Sequence, residues 1–316
     1  MEAYKAFDQN LQCLGFQFEV GESFELDGKV SVCKSGFHAC ENPLDVWNYY
    51  PLDSRYAVVE LGGETSRHGD DSKVAAGRIT ISAEITLPQL INDGVAYLMG
   101  LCDSTASGDC SQLAASGDYS QLAASGNYSQ LAVSGENGKI AASGENCKLA
   151  ASGNYTQIAA SGKYSQLAAS SNGSTLAASG SASKLAVSGK NCRLAASGNN
   201  SQLAASGENC KLAASGNGSK LAASGSYIKL TASGIGSKLA TSGKYNQLAA
   251  SGNDSVCMAA SPGSTARAGA GGAIALTYHD GVRYRIAVAY VGEKGIKPNV
   301  DYYVTADGVF TEAKAW

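Results

Sequence analysis

Nine polar side chains in the first quarter of the chain could line a binding pocket: Tyr4, Lys5, His38, Arg55, Arg67, His68, Asp70, Asp71 and Lys73, of which all but the two aspartates are types that bind anions. Lysine, arginine and protonated histidine donate charge-assisted hydrogen bonds to carboxylate or phosphate oxygens, and a tyrosine hydroxyl adds a neutral donor. Most fall in two polar stretches, Gly36-Phe37-His38-Ala39-Cys40 and Arg67-His68-Gly69-Asp70-Asp71-Ser72-Lys73. Both read as loops, and loops held on a rigid scaffold are where sites concentrate. Together the nine form a candidate pocket for an anionic small molecule; the competing reading is a solvated turn beside a buried histidine. No nucleophile is paired with a base, so no catalytic residue is assigned and no cofactor is expected. Cys33 and Cys40 flank His38, but neither a CxxC pair nor a second histidine completes a zinc set.

The elements that must carry these side chains belong to a small α/β or α+β domain over residues 1–100. Asn42-Pro43-Leu44-Asp45 opens a helix with an N-cap, a proline at the first position and an acid in the first turn, continuing through Val46, Trp47 and Tyr50. Arg55 to Leu61 and Arg78 to Ile85 alternate or are β-branched, which predicts strands on either side of the second loop.

The next part of the chain, residues 101–270, obeys a different rule. Leu or Ile recurs every nine residues from Leu113 to Leu248 without an insertion, in the unit L-A-A-S-G-x-[Y/N]-S-[Q/K]. A helix cannot use this period, because it would repeat a glycine every 2.5 turns at about 1 kcal/mol each. A strand followed by a turn can. Side chains alternate along a strand, so the eighth, first and third positions share an inward face and the ninth and second an outward one. Cys147, Cys192, Cys210 and Ile228 all occupy the eighth position, as an inward slot would allow. The Ser-Gly pair supplies the turn, with glycine expected at positive φ. The fold is therefore mainly β, a β-solenoid; two units would make a coil of eighteen residues, giving a rod about 40 Å long at about 4.8 Å per rung, while the period leaves other coil sizes open. Its open sheet edges require caps. Asp280-Gly281 and Asp307-Gly308 are hairpin signals, which predicts a β-hairpin cap over residues 271–316 ending at Trp316.

Two columns of the repeat invite a partner. Tyr recurs at the seventh position (Tyr119, Tyr128, Tyr155, Tyr164, Tyr227, Tyr245), either as a stacking ladder or, like the Asn in the same slot, as a cover for the turns. The second position is Ala in every repeat except Thr231, although alternation points it outward. An exposed column should vary, so Ala123, Ala141, Ala159, Ala177, Ala195 and Ala213 are a candidate seam between copies in a homo-oligomer. The calcium-binding nonapeptide repeat needs aspartates between its turns, and this unit has none.

Composition narrows the classes. A formal net charge of −3 with evenly spread basic residues leaves no footprint for nucleic acid. No apolar run reaches the roughly 18 residues of a membrane span and MEAYKAFDQN lacks a signal-peptide pattern. With nine cysteines lacking a framework spacing, this predicts a cytoplasmic protein.

The segments YKAF, CKSGFHACENPLDVWNYY, SRYAVVE and RHGDDSKVAAGRITI, over about residues 3–90, resemble an uncharacterised module of phage, prophage and gut-bacterial proteins that is often followed by such repeats. The resemblance implies a phage or prophage accessory protein and names no activity. GFHAC followed by a helix ending in YY is similar to a step of ADP-ribosyltransferase-like folds, without that family's catalytic Glu. GSTARAGAGGAIAL is similar to the β-roll heads of trimeric autotransporter adhesins and implies a possible trimer. The expectation is therefore a non-catalytic binding protein whose solenoid multiplies a recognition domain, sequestering a nucleotide-derived host signal. The rivals are a divergent ADP-ribosyltransferase-like enzyme and a structural part of a particle or fibre.

Overall fold

The computed structural model describes residues 1–26, 28–68, 71–101 and 104–313. It is mainly β, with 45% strand against 7% helix. Trp316 lies outside the described residues. The chain divides into two compact units, Met1–Gly100 and Leu101–Trp316. No described helix is long and apolar enough to cross a membrane.

The first unit contains β1 (Glu2–Phe7), β2 (Gln12–Cys13), β3 (Phe16–Gln17), β4 (Ser23–Glu25), β5 (Phe37–Cys40), β6 (Arg55–Arg67) and β7 (Lys73–Ile85), followed by α1 (Leu87–Leu101). All of its strand pairings are antiparallel. β6 pairs with β1 and with β7, and β5 joins β1 to β7, so four strands close on themselves. Register shifts at Val58/Val59 and Gly62/Thr65 bend the long β6–β7 hairpin, as bulges do. Both strands run further than the alternation predicts, which moves Arg67 and Lys73 out of the expected loop and into strands. The predicted helix is a 3-10 helix, Pro43–Asn48, capped by Asn42, whose side chain accepts from Leu44 N–H. Burial of Leu44, Val46 and Trp47 ties this short element down. The 15-residue α1 lacks an acid in its first turn and a base in its last, the charges that mark helix ends. Its start is marked by Gln89, whose side chain accepts from the Thr86 N–H at 2.9 Å as in a capping box, and its buried face by Leu90, Ile91, Val95 and Leu98.

The second unit is a β-solenoid of about 10 turns over residues 105–276. Its strands run from β8 (Ser104–Ala106) to β26 (Thr265–Ala268), and alternate ones stack in parallel into two sheets, even-numbered and odd-numbered. Leu122 pairs with Ile140 and Leu131 with Leu149, which fixes the rung at eighteen residues. First- and third-position side chains fill the core, as do Cys147, Cys192, Cys210 and Ile228. Buried eighth-position serines are satisfied by donating to the carbonyl three residues back; Ser201 Oγ reaches Gly198 O at 2.8 Å.

One expectation about the turn is corrected. The fifth-position glycines do not adopt positive φ; the seventh-position residues do, with Tyr164 at 59° and Asn191 at 57°. Glycine predominates at the fifth position because successive turns stack backbone on backbone. A Cβ on Gly207 would lie 1.9 Å from Gly189 O, and one on Gly198 would lie 2.3 Å from Gly180 O. At Ser171 and Ser261, where serine takes this position, the hydroxyl donates to the neighbouring rung at Ser152 O and Ser242 O. The seventh-position side chains lean over the next rung: a Cβ on Gly173 would meet the Tyr155 ring at 2.5 Å, and Tyr227 stacks on Tyr245 at 5.5 Å. With eighteen residues per rung the six tyrosines divide between two edges, so they cover turns and form no continuous ladder.

Of the second-position alanines, the six seam candidates Ala123, Ala141, Ala159, Ala177, Ala195 and Ala213 all lie in the even-numbered sheet and are buried. Their counterparts in the odd-numbered sheet, such as Ala132, Ala150 and Ala168, are exposed.

The C-terminal cap consists of two hairpins. β27 (Ala273–His279) continues the odd-numbered sheet in parallel and turns at Asp280-Gly281 into the antiparallel β28 (Tyr284–Tyr290). β29 (Tyr302–Val304) joins β26 antiparallel and turns at Asp307-Gly308 into β30 (Phe310–Glu312). Gly281 and Gly308 have φ of 92° and 80°, the conformation that made these dipeptides turn signals.

Gly207→Ala should cost about 3 kcal/mol in urea unfolding, because the new methyl group must push two stacked backbones apart. Lys220→Asp, at an exposed ninth position, should change stability by no more than about 0.5 kcal/mol. Equal losses would mean that rung stacking does not set the glycine column.

Candidate functional site

The closed sheet of the first unit carries a cleft of about 430 Å³ at the end where β1, β5 and the start of β7 meet. Its floor is Lys5. Alternation along β1 places Lys5 on the same face as Ala3 and Phe7, which belong to the apolar core, so the residue is only 3% exposed. Lys5 Nζ donates to His38 O at 2.9 Å and to Tyr50 Oη at 2.9 Å, with Cys13 Sγ at 3.6 Å. The rings of Tyr50, Phe7 and Phe18 surround it at 5.4, 5.5 and 5.7 Å. Burial pushes its pKa down, and the charge of Lys73 pushes in the same direction. Burial also raises the Tyr50 phenol, which stays a neutral hydroxyl.

Lys73, the first residue of β7, forms the rim. Its Nζ sits 3.9 Å from the centre of the Tyr49 ring and 3.5 Å from Cys33 Sγ. Phe16, Phe18 and Phe37 make the apolar wall, with Phe24 packed behind at 5.2 to 5.4 Å between ring centres. The tight β2–β3 turn places Leu14 at the mouth, fully exposed and at φ 51°. A bulky residue in the left-handed region is uncommon and directs attention to what it borders.

His38 shapes the cleft without offering it a charge. Its Nε2 accepts the Cys33 N–H at 3.0 Å, and burial followed by the charges of Lys73 and Lys5 lowers its pKa. It therefore holds the loop from Cys33 to Gly36 as a neutral imidazole. Tyr4 borders the cleft as well, but its hydroxyl is bonded to Asp93 of α1, and burial together with the Asp93 charge raises it to about 12.

The remaining expected residues separate into three places. Asp71 accepts from Tyr49 Oη and from Lys73 N–H, and lies 3.1 Å from His68 Nδ1, so this hairpin turn buttresses the rim. Arg67 pairs with Glu41 at 2.5 Å and Arg55 with Glu84 at 2.6 Å, and neither lines the cleft. Asp70 lies outside the described residues. Ser72 donates to Asp45 through both its backbone N–H and its hydroxyl, fastening the same turn to the 3-10 helix. Thus four of the nine expected residues (Tyr4, Lys5, His38 and Lys73) meet in one cleft, and His68 and Asp71 support it. The sequence reading missed the aromatic wall. Its signal was present in the alternating Phe16 and Phe18 and in the Tyr49-Tyr50 pair, which residue-type reasoning assigns to core.

Residues 1–93 match the family model described as "Domain of unknown function (DUF7666)". No curated protein and no solved structure gives a significant match to the chain.

Lys5→Met replaces a buried ammonium by an apolar chain of similar length, and should leave stability at neutral pH unchanged or raised. The unfolded lysine has pKa 10.5 and the folded one lies below it, so between those values the unfolded chain binds more protons. Wild-type stability should therefore rise relative to Lys5→Met as pH rises through that interval, and level off above about 10.5. Thermal melts of both proteins across alkaline pH test this, and parallel curves would place the charge in water.

Proposed function

We propose that this protein is a non-catalytic binding protein whose N-terminal domain holds an anionic small molecule bearing an aromatic group, with the solenoid as its scaffold. The observation that carries this reading is the electrostatics of the cleft. The charges of Lys5 and Lys73 both lower His38, and that of Lys73 lowers Lys5, while no Asp or Glu is among the described residues that line the cleft. A bound anion relieves that repulsion and offers Lys73 a charged acceptor in place of the weak one it has in Cys33 Sγ. The Phe16, Phe37 and Tyr49 rings offer faces for a planar group, as expected for a pocket with apolar walls and a few convergent polar groups. A nucleotide or nucleotide-derived signal has both parts. Sequestration in place of conversion is consistent with a histidine committed to the loop backbone and a tyrosine committed to Asp93. On this reading the protein is an accessory factor of a phage or prophage that withdraws such a signal from its bacterial host.

The purified protein, heated and extracted, should release a phosphorylated aromatic compound detectable by mass spectrometry. AMP and ADP-ribose, tested by calorimetry, should bind wild type and lose at least tenfold in affinity with Lys73→Glu, equivalent to about 1.4 kcal/mol. Turnover of labelled NAD would replace sequestration by catalysis. Equal affinity of wild type and Lys73→Glu would move the site elsewhere.

A further inference from the structure

The two hairpins that close the solenoid treat their outer edges differently. β30 is three residues long and carries Glu312, which is bonded to Lys297 at 2.9 Å. Short, charged edge strands resist pairing with another chain. β28 is seven residues long, terminates the odd-numbered sheet, and contains neither proline, glycine nor an acid. Its one charge, Arg285, is bonded to Asp280 in its own hairpin turn. Tyr284, Ile286, Val288 and Tyr290 stand on one face of this strand, and they are 63, 70, 55 and 56% exposed.

We infer that β28 is a self-association edge, pairing antiparallel with β28 of a second copy about a two-fold axis at Ala287. The order of side chains selects this occupant. Tyr-Arg-Ile-Ala-Val-Ala-Tyr reads nearly the same in both directions. An antiparallel pair centred on Ala287 therefore sets Tyr284 opposite Tyr290 and Ile286 opposite Val288, each twice. Aromatic pairs and β-branched pairs are the cross-strand contacts that stabilise sheets. Arg285 falls opposite Ala289, so no like charges meet. The odd-numbered sheets of the two copies become one continuous sheet, and the isologous contact closes at two. This contact does not depend on what the cleft binds.

Size-exclusion chromatography with light scattering on the full chain at micromolar concentration should give twice 32.2 kDa. Ile286→Lys combined with Val288→Lys should halve the mass and leave the far-UV spectrum and the binding of AMP or ADP-ribose unchanged. Ala287→Cys should form a chain-to-chain disulfide at that position under mild oxidation, identified by peptide mapping, since that register alone places the introduced thiol beside its own copy. A monomeric wild type, a dimer that survives the double lysine variant, or an open polymer built head to tail would each overturn the proposal.

Discussion

The solenoid depends on the contact of one turn backbone with the next. Where a fifth-position glycine Cα passes the carbonyl of the rung beneath, a methyl group would force the backbones to shift, as the 1.9 Å that would separate a Gly207 Cβ from Gly189 O makes plain. This close approach lets the turns stack at the same spacing as the strands, so the backbone ladder runs through both. Tyr164 N–H reaches Ser181 O at 2.9 Å, and Lys184 N–H reaches Ser165 O at 2.9 Å. Sixth-position asparagines extend the ladder with their side chains, as when Asn172 Oδ1 accepts from Lys190 N–H at 2.7 Å. The cost is borne at the seventh position, where even tyrosine is held in the left-handed region.

A core of Leu, Ala and buried Ser is thin, and it works because the inward hydroxyls have fixed carbonyls to meet. Cys147 in the serine slot points its thiol to Gly144 O at 3.2 Å, and Asn246 in the same slot donates to Gly243 O at 2.6 Å. The slot therefore accepts any small group that can donate, and Ile228 shows that an apolar one also fits.

The N-terminal unit follows the opposite logic. It closes a short antiparallel sheet around an apolar core and then places an ammonium group in that core's wall. Burying Lys5 is unfavourable in itself, and three polar contacts with three rings only partly offset the loss of water. Replacing such a group by an apolar one seldom harms a fold, so its presence is better explained by what the cleft receives than by stability.

The nine-residue period, the inward set of Leu, Ala and Ser and both cap hairpins were legible in the sequence, because each is a local pattern set by one physical rule, whereas the eighteen-residue rung came only from the strand register. The N-cap at Asn42 was legible for the same reason. What the fifth-position glycine does was not legible: small size and positive φ ask for the same residue, and only the distance to the rung beneath separates them. Nor could alternation decide that second-position alanines are buried in one sheet and exposed in the other. The site divides in the same way. Residue types marked Lys5, His38 and Lys73 as partners for an anion, but Arg55 and Arg67 carry identical chemistry and are spent on Glu84 and Glu41. Which cations share a cleft, and which rings wall it, depends on strand pairing between segments more than thirty residues apart, such as Tyr4 with Cys40 and Cys40 with Lys73. Such a register arises only when the sheet closes, so the tertiary structure alone decides it.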